Sequence, residues 1–314
     1  MNTASRARIA RRPVQGVLLL DKPLGLSSNQ ALQKAKWLLR AQKAGHTGTL
    51  DPAATGVLPL CFGGATKFAQ AQLDAQKAYK ATVRLGIVTN TGDSEGEVLE
   101  RNPVNVNDEQ IQTVLTQFKG MIEQMPPMFS ALKYQGKALY EYARQGIEIE
   151  RKVRKVFISD IRVKRLDAET FELDVVCSKG TYIRTLAMDI GTALGCGASL
   201  QALQRTATGC LTLDACVTLP ELEAMSEQER LSCLLPSEVL LDDIPDVFLD
   251  AHDAGRFLTG MRRHVQQPNA AAVKVFGQNP DAFLGLASIQ AEELIPKRLL
   301  SPAEIQAWIE QNNN

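Results

Sequence analysis

Apolar and polar positions along the first ninety residues predict four successive elements. Residues 17–20 form a short apolar strand, and a turn through residues 21–25 follows it. Ser27 or Ser28 then caps an amphipathic helix that runs to about Arg40. Further on, "ATKFAQAQLDAQ" has the spacing of a helix, and "KAYKATVRLGIVT" alternates in the manner of a strand.

The rest of the chain continues to mix the two kinds of element. "NDEQIQTVLTQFKG" predicts a capped helix that ends at Gly120, and "TYIRTLAMDIGTALG" predicts another with Gly195 past its end. "VRKVFISDIRVKRLD" and "TFELDVVCSKG" predict a pair of strands. From about Val247 onward, short apolar runs punctuated by Gly and Pro indicate a small β-rich module.

The order of these elements indicates the fold class. Strands and helices interleave without βαβ regularity, which favours an α+β fold over a doubly wound one. Neither a P-loop spacing nor a G-x-G-x-x-G after a strand is present, so the glycines do not indicate a nucleotide site. We expect a flexible basic arm at residues 1–13, a main domain at 14–246 and the small module at 247–314.

Composition is that of an ordinary globular protein. Of the 314 residues, 45% are hydrophobic and 22% charged, and no apolar run approaches the ~18–20 residues of a membrane helix. The basic N-terminus lacks the apolar stretch of a signal peptide, which predicts a cytoplasmic protein without a membrane partner. The six cysteines are scattered, without metal-ligand spacing, so we expect neither a metal site nor disulfides.

The net charge of zero conceals a strong asymmetry along the chain. Residues 1–90 contain thirteen lysines and arginines against three aspartates, a net charge of +10, whereas residues 211–314 carry −9. This asymmetry suggests that the N-terminal part faces a polyanion. A solvated basic face without a partner is the alternative, and charge alone does not decide between them.

One Gly-rich stretch contains a single acidic residue. Residues 44–61, "AGHTGTLDPAATGVLPLC", are predicted to form a loop in which Asp51 is the only carboxylate. Pro52 keeps the Asp51 backbone away from helical geometry, and Gly48 and Gly56 permit tight chain paths on either side. Asp51 is therefore either a turn residue or a presented nucleophile or base, because a mechanism with two carboxylates needs a second acid.

A few further residues have the chemistry of a nucleic-acid site. His46 lies in the same loop, where an imidazole could contact a base or a phosphate, and Tyr79 lies between two lysines, as stacking aromatics often do. Each also has an ordinary structural interpretation, as an exposed histidine and a half-buried strand tyrosine. "SKGTYIRT" places Tyr182 and Arg184 at a helix start, where Arg184 could complement a carboxylate that the spacing does not identify.

Several long motifs occur together and in a fixed order. They are "GVLLLDKPLGLSSNQAL", "AGHTGTLDPAATGVLPLCFGGATKF", "YKATVRLGIVTNTGDSEG", "PPMFSALKYQGKALYEYARQG", "CSKGTYIRTLAMDIG" and "LGCGASLQALQRTATG". Over residues 14–210 the chain closely resembles the TruB family of tRNA pseudouridine synthases, which isomerise uridine-55 in the T-loop of tRNA. From residue 211 the resemblance is weaker, although "IPKRLL" and the size of the last module resemble the PUA-like domain of that family.

The resemblance implies a fold and a chemistry. The fold would be the pseudouridine synthase fold, a mixed and largely antiparallel sheet with flanking helices, followed by a PUA-like domain. Asp51, in the family's G-T-L-D-P motif, would be the catalytic residue, acting as nucleophile or as base, and Arg184 would pair with it. The reaction would need neither metal nor cofactor. The partner would be the T-arm of tRNA, bound by a monomer that requires no other protein.

The resemblance also assigns the remaining site residues. Tyr79 would stack on a uracil flipped out of the loop, Tyr182 and Leu203 would line its pocket, and His46 would contact RNA. Lys22 and Pro23 would pack beneath the active loop. Gln204 and Phe129 depart from the family pattern, where Arg and Tyr are frequent; the first could slightly weaken RNA binding.

The sequence disfavours two rival functions on the same scaffold, the first because the Asp51 loop is intact and the second because the C-terminal region is short. A noncatalytic tRNA chaperone would keep the basic groove without needing Asp51, although assistance with tRNA folding could accompany catalysis. A relative that acts with guide RNA on ribosomal RNA would normally carry a larger C-terminal region.

Overall fold

A computed structural model describes residues 10–278 and 281–313 of the chain. Most of the predicted basic arm, residues 1–9, lies outside the described residues. At the end of that segment, Arg12 donates its main-chain N–H to the Arg40 carbonyl at 2.8 Å and pairs with Glu227. Residue contacts divide the chain into two units. The terminal unit comprises residues up to Asp51, Val57–Leu73 and residues from Asp214 onward, and the central unit comprises Pro52–Gly56 and Asp74–Leu213.

The helices and strands are numbered here in chain order. The α-helices are α1 Ser28–Leu38, α2 Ala69–Asp74, α3 Asp108–Leu115, α4 Leu139–Ala143, α5 Ile183–Ala193, α6 Leu219–Ala224, α7 Glu227–Ser232, α8 Ala251–Leu258 and α9 Pro302–Asn313. The strands are β1 Gly16–Lys22, β2 Ala44–His46, β3 Ala54–Phe62, β4 Lys77–Leu85, β5 Ile87–Thr89, β6 Val98–Arg101, β7 Gly120–Gln124, β8 Lys133–Tyr134, β9 Lys137–Ala138, β10 Arg154–Arg165, β11 Thr170–Cys177, β12 Ala198–Thr208, β13 Leu211–Thr212, β14 Val217–Thr218, β15 Asp246–Leu249, β16 Arg263–His264, β17 Ala270–Gly277, β18 Ala282–Gln290 and β19 Glu293–Leu299.

The terminal unit contains two sheets. In the first, the buried strand β1 lies between β14, which is parallel to it, and β3, and β2 pairs antiparallel with β3. In the second, the strand order is β15-β17-β18-β19-β16, which confirms the β-rich C-terminal module. Helix α1 begins where it was predicted to begin, because Ser27 and Gln30 form a reciprocal capping box.

The central unit is built on the strand order β12-β4-β11-β10-β7, in which neighbouring strands are antiparallel. The first residues of β3 add a parallel pairing with β12. Helices α3 and α5 contribute to the hydrophobic core that covers this sheet, for example through Ile111 and Leu186. The predicted α+β class and the pairing of β10 with β11 are confirmed.

Several strands were not predicted, and β3 and β12 are the longest of them. Residues 44–61 were expected to form one loop, yet residues 44–46 form β2 and all of residues 54–61 belong to the nine-residue strand β3, which leaves residues 47–53 as the loop. The apolar run 57–62 is fully buried, and burial favours a strand despite Gly56 and Pro59. Strand β12 was likewise missing from the sequence analysis. Within the described residues, no helix has the length and apolar composition needed to cross a membrane.

Candidate active site

Asp51 lies in the loop that connects β2 with β3, and its side chain is exposed. The loop is held near its start, where the Thr47 N–H donates to the Pro59 carbonyl at 3.1 Å. Gly48 follows with a φ of 80°, a conformation that glycine adopts without strain. An exposed carboxylate on a tethered loop can reach a bound molecule, as a nucleophile or a general base must.

A buried cation accompanies this carboxylate. Lys22, at the end of β1, is fully buried, and its ammonium donates to the carbonyls of Pro23 at 2.8 Å and Leu26 at 2.6 Å. Burial lowers the pKa of Lys22 to about 8, while the charges of Asp51 and Asp21 oppose that shift. Lys22 is therefore mostly protonated at neutral pH and contributes positive potential at Asp51.

Arg184 lies in the first turn of α5 and is buried. One of its guanidinium nitrogens donates to the Asp93 carboxylate and to the Thr91 carbonyl, both at 3.3 Å, and another donates to the Phe129 carbonyl at 2.5 Å. These three acceptors fix the plane of the guanidinium. Lysine could not reproduce this geometry, because it presents a point charge on a flexible stem.

Asp93 was not predicted as a site residue, although it is a partner of Arg184. Its carboxylate is itself held, because one oxygen accepts hydrogen bonds from the Thr91 hydroxyl at 2.5 Å and the Glu95 N–H at 3.2 Å. The stretch around Asp93 was predicted only as a turn, and its partner is 91 residues away along the chain. No local sequence signal could have indicated this pair.

Tyr182 is the N-cap residue of α5 and is held by a second residue that was missed. Gln124 is buried at the end of β7, where its side-chain oxygen accepts from the Tyr182 N–H at 3.0 Å and its amide nitrogen donates to the Tyr182 carbonyl at 3.3 Å. This double contact fixes the main chain at the start of the helix that carries Arg184.

Tyr79 and Leu203 lie on neighbouring strands of the central unit. Tyr79 on β4 is paired across the sheet with Arg205, two residues from Leu203 on β12, which places both side chains on the same face. Both are partly buried against the hydrophobic core of the central unit. Gln204 lies between Leu203 and Arg205 on β12, and its side chain points to the other face of the sheet because side chains alternate along a strand.

The two units divide the predicted site residues between them. Asp51 and Lys22 belong to the terminal unit with His46, which is half-buried on β2 opposite Leu60. Tyr79, Tyr182, Leu203 and Arg184 belong to the central unit. The pairing of Arg184 with Asp51 therefore stays a prediction. At Phe129 the contact to Arg184 uses the main-chain carbonyl, so it does not depend on whether the side chain is Phe or Tyr.

Three potential metal-ligating side chains lie close together at the start of α8, within the described part of the chain. Ligand atoms of Asp250, His252 and Asp253 come within 4.8 Å of one another. The Asp250 carboxylate, however, caps the helix through the Asp253 N–H, and the Asp253 carboxylate pairs with Arg263 at 2.8 Å. These contacts explain the acidic cluster without a metal ion.

Comparison with known proteins gives consistent matches along the chain. Residues 36–183 match the family model for the N-terminal domain of TruB family pseudouridylate synthases. Residues 184–242 match the tRNA pseudouridylate synthase B C-terminal domain, and residues 245–300 match the C-terminal model of pseudouridine synthase II TruB.

Relatives from three bacteria illustrate the similarity. The chain is 56% identical to tRNA pseudouridine synthase B of Verminephrobacter eiseniae, over 97% of this chain and 94% of that protein. It is 55% identical to the protein of the same name from Ralstonia nicotianae, with 95% and 98% covered, and 50% identical to that of Chromobacterium violaceum, also with 95% and 98% covered.

Solved structures share the fold at lower identity. A Cbf5-Nop10-Gar1 complex aligns with a TM-score of 0.69 and 25% identity, over 92% of this chain and 86% of that chain. An H/ACA RNP bound to a substrate RNA containing 2'-deoxyuridine aligns with a TM-score of 0.68 and 23% identity, over 93% and 87%.

The mixed sheet with its flanking helices and β-rich C-terminal module is thus the fold of a pseudouridine synthase. The matches along the sequence are more specific. The chain belongs to the TruB family of pseudouridylate synthases, which are isomerases.

Proposed function

We propose that this enzyme converts uridine-55 in the T-loop of tRNA to pseudouridine, with Asp51 as the catalytic residue. The observation that carries the proposal is the exposed Asp51 carboxylate, isolated from other acids along residues 44–61 and presented by the loop after β2. The names of the curated relatives, tRNA pseudouridine synthase B, support tRNA as the substrate.

The reaction rearranges one bond of the nucleoside. The bond between uracil N1 and the sugar C1′ breaks, the base turns, and C5 forms the new bond to C1′. The hydrogen on C5 leaves as a proton, and N1 becomes protonated. Asp51 either attacks C1′ or removes a sugar proton on the way to a glycal, and either role requires an ionised carboxylate.

Access to the bond requires that the uridine leave the folded T-loop. Flipping a base costs a few kcal/mol, and stacking on an aromatic ring returns about 1–3 kcal/mol. We assign this stacking to Tyr79, with Tyr182 and Leu203 lining the pocket and His46 contacting the RNA. The support is that Tyr79 is only half-buried and lies on the same sheet face as Leu203.

Arg184 would pair with Asp51 and fix the orientation of its carboxylate. The support is the network already described, in which Asp93 and the carbonyls of Thr91 and Phe129 hold the guanidinium in place. We further propose that the enzyme acts in the cytoplasm as a monomer on the T-arm alone, without an obligatory protein partner.

The proposal is tested by incubating the purified protein with an unmodified T-arm stem-loop RNA and mapping pseudouridine chemically. Conversion at the position of uridine-55 is expected, and a stem-loop with cytidine at that position should show none. An absence of pseudouridine, or its formation only at other uridines, would contradict the proposal.

A further inference from the structure

We propose that Ser28 is a positioning residue for Asp51 and acts through the main chain of Leu50. The inference rests on the proposed catalytic role of Asp51. The Ser28 hydroxyl donates to the Leu50 carbonyl at 3.0 Å and accepts from the Leu50 N–H at 2.8 Å. Both residues are buried, with 2% of Ser28 and 4% of Leu50 exposed.

A single hydroxyl thereby satisfies both main-chain groups of one loop residue. The Leu50 carbonyl belongs to the peptide plane that also contains the N and Cα atoms of Asp51, because the peptide bond is planar. Its contact with Ser28 therefore sets the orientation of the plane from which the Asp51 side chain projects. Water cannot readily replace the two bonds, since the site is buried.

The loop needs such a constraint. Its first tether, from the Thr47 N–H to the Pro59 carbonyl, comes before Gly48, which has a φ of 80° and carries no side chain to restrict rotation. Thr49 is exposed. The contact at Leu50 is the last tether before the catalytic carboxylate among the hydrogen bonds described for this loop.

Ser28 is itself held on a rigid base. It is the first residue of α1, and the buried face of that helix, which includes Ser28, Ala31 and Leu32, holds it in place independently of the exposed cap at Ser27. The turn before Ser27 is held by the Lys22 ammonium, which binds the carbonyls of Pro23 and Leu26. Catalytic side chains depend on such supporting contacts, because displacements of about 1 Å can cost on the order of 100-fold in rate.

The adjacent serines provide a matched pair of variants. Ser28→Ala removes both bonds to Leu50, whereas Ser27→Ala removes the helix cap and leaves Leu50 untouched. We expect Ser28→Ala to lower kcat on T-arm RNA by about 10- to 100-fold while KM changes little. Ser27→Ala should keep the wild-type kcat and lose only thermal stability. Equal kcat values for the two variants, or a Ser28→Ala defect confined to KM, would overturn the proposal.

A measurement on the wild-type protein covers the possibility that Ser28→Ala does not fold. The Leu50 amide should exchange with solvent deuterium much more slowly than the Thr49 amide in NMR spectra, because only the former donates to a buried acceptor. Equally fast exchange of the two amides would refute the contact. If the wild-type protein makes no pseudouridine, the proposed function falls as well; if it is active and the two serine variants are alike, only the role of Ser28 fails.

Discussion

Lys22 keeps its ammonium group in a position that water does not reach, and this has a measurable consequence. Its pKa is lowered by burial to about 8, so between pH 8 and 10.5 the unfolded chain binds more protons than the folded protein at this residue. The contribution of Lys22 to the free energy of unfolding should therefore become more favourable as pH rises through this range.

Lys22→Met tests this by urea denaturation at pH 7.5, 8.5 and 9.5, values chosen to span roughly the window set by the shifted pKa. The variant should be less stable than the wild type throughout, because it loses the bonds to Pro23 and Leu26. The gap between the two proteins should widen with pH. A constant gap would mean that Lys22 has an ordinary pKa.

Asp93 should prove nearly as important as Arg184, although it touches neither Asp51 nor substrate in the proposed mechanism. Asp93→Asn leaves the size of the side chain unchanged but removes the charge that faces the guanidinium, so we expect turnover to fall by about 10-fold or more. The turnover of Arg184→Lys should fall further, because this variant also loses the forked contacts to the carbonyls of Thr91 and Phe129.

Single-turnover rates with saturating enzyme measure both effects. Glu95→Gln is the matched control, because Glu95 contacts Asp93 only through its main-chain N–H and should remain active. Full activity of Asp93→Asn would show that the ion pair has no part in catalysis.

Among single residues, the candidate site residues could be predicted from the sequence, but the residues that hold them in place could not. Asp51 and Arg184 lie in motifs that resemble those of the family, and this resemblance was enough to predict them as site residues. Asp93 and Gln124 act through partners 91 and 58 residues away, and only the folded chain brings such pairs together.

At the scale of elements, the parallel contact between β3 and β12 depends on Gly56. Its φ is 101°, and a Cβ atom there would lie 2.1 Å from the Arg205 carbonyl oxygen and 2.7 Å from the Arg205 nitrogen. Both atoms belong to the main chain and cannot move aside. Gly56→Ala should therefore destabilise the protein by about 2–4 kcal/mol.

Gly25→Ala is the control, because it introduces the strain of a positive φ without a steric clash. Gly25 also has a positive φ, of 84°, but no atom lies within 4 Å of the position of an added Cβ. Its cost should be about 1 kcal/mol. Urea denaturation measures the loss of stability in both variants. Equal losses for Gly56→Ala and Gly25→Ala would show that the close contact between Gly56 and the main chain of Arg205 does not contribute.

Elements with local signals were predicted well, and those that depend on burial were not. The cap of α1 and the pair β10–β11 follow from capping chemistry and from alternation. Strands β3 and β12 contain Gly, Pro or polar residues in their sequences, and they form strands because neighbouring strands supply hydrogen bonds and cover them. Helix α9 was also missed.

At the scale of the whole molecule, the asymmetry of charge should determine how RNA binding responds to salt. The net charge of +10 on residues 1–90 predicts that affinity for the T-arm falls steeply with salt concentration. Lys43→Gln, in this segment, should reduce the slope of log K against log salt by about one unit or less if Lys43 contacts a phosphate. Lys164→Gln, at an exposed position of β10, should leave the slope unchanged.

Filter binding at a series of salt concentrations measures these slopes. Similar slopes for Lys43→Gln and the wild type would show that Lys43 contacts no phosphate, and a shallow slope for the wild type itself would indicate that the basic N-terminal segment is only a solvated face.

The role of Asp51 is tested most directly by Asp51→Asn, assayed for pseudouridine in T-arm RNA alongside RNA affinity. The amide keeps the shape of the side chain but can neither attack C1′ nor accept a proton. We expect no pseudouridine at uridine-55 even with excess enzyme, while RNA affinity stays within a few fold of the wild type. Turnover at the wild-type rate would contradict a catalytic role for Asp51.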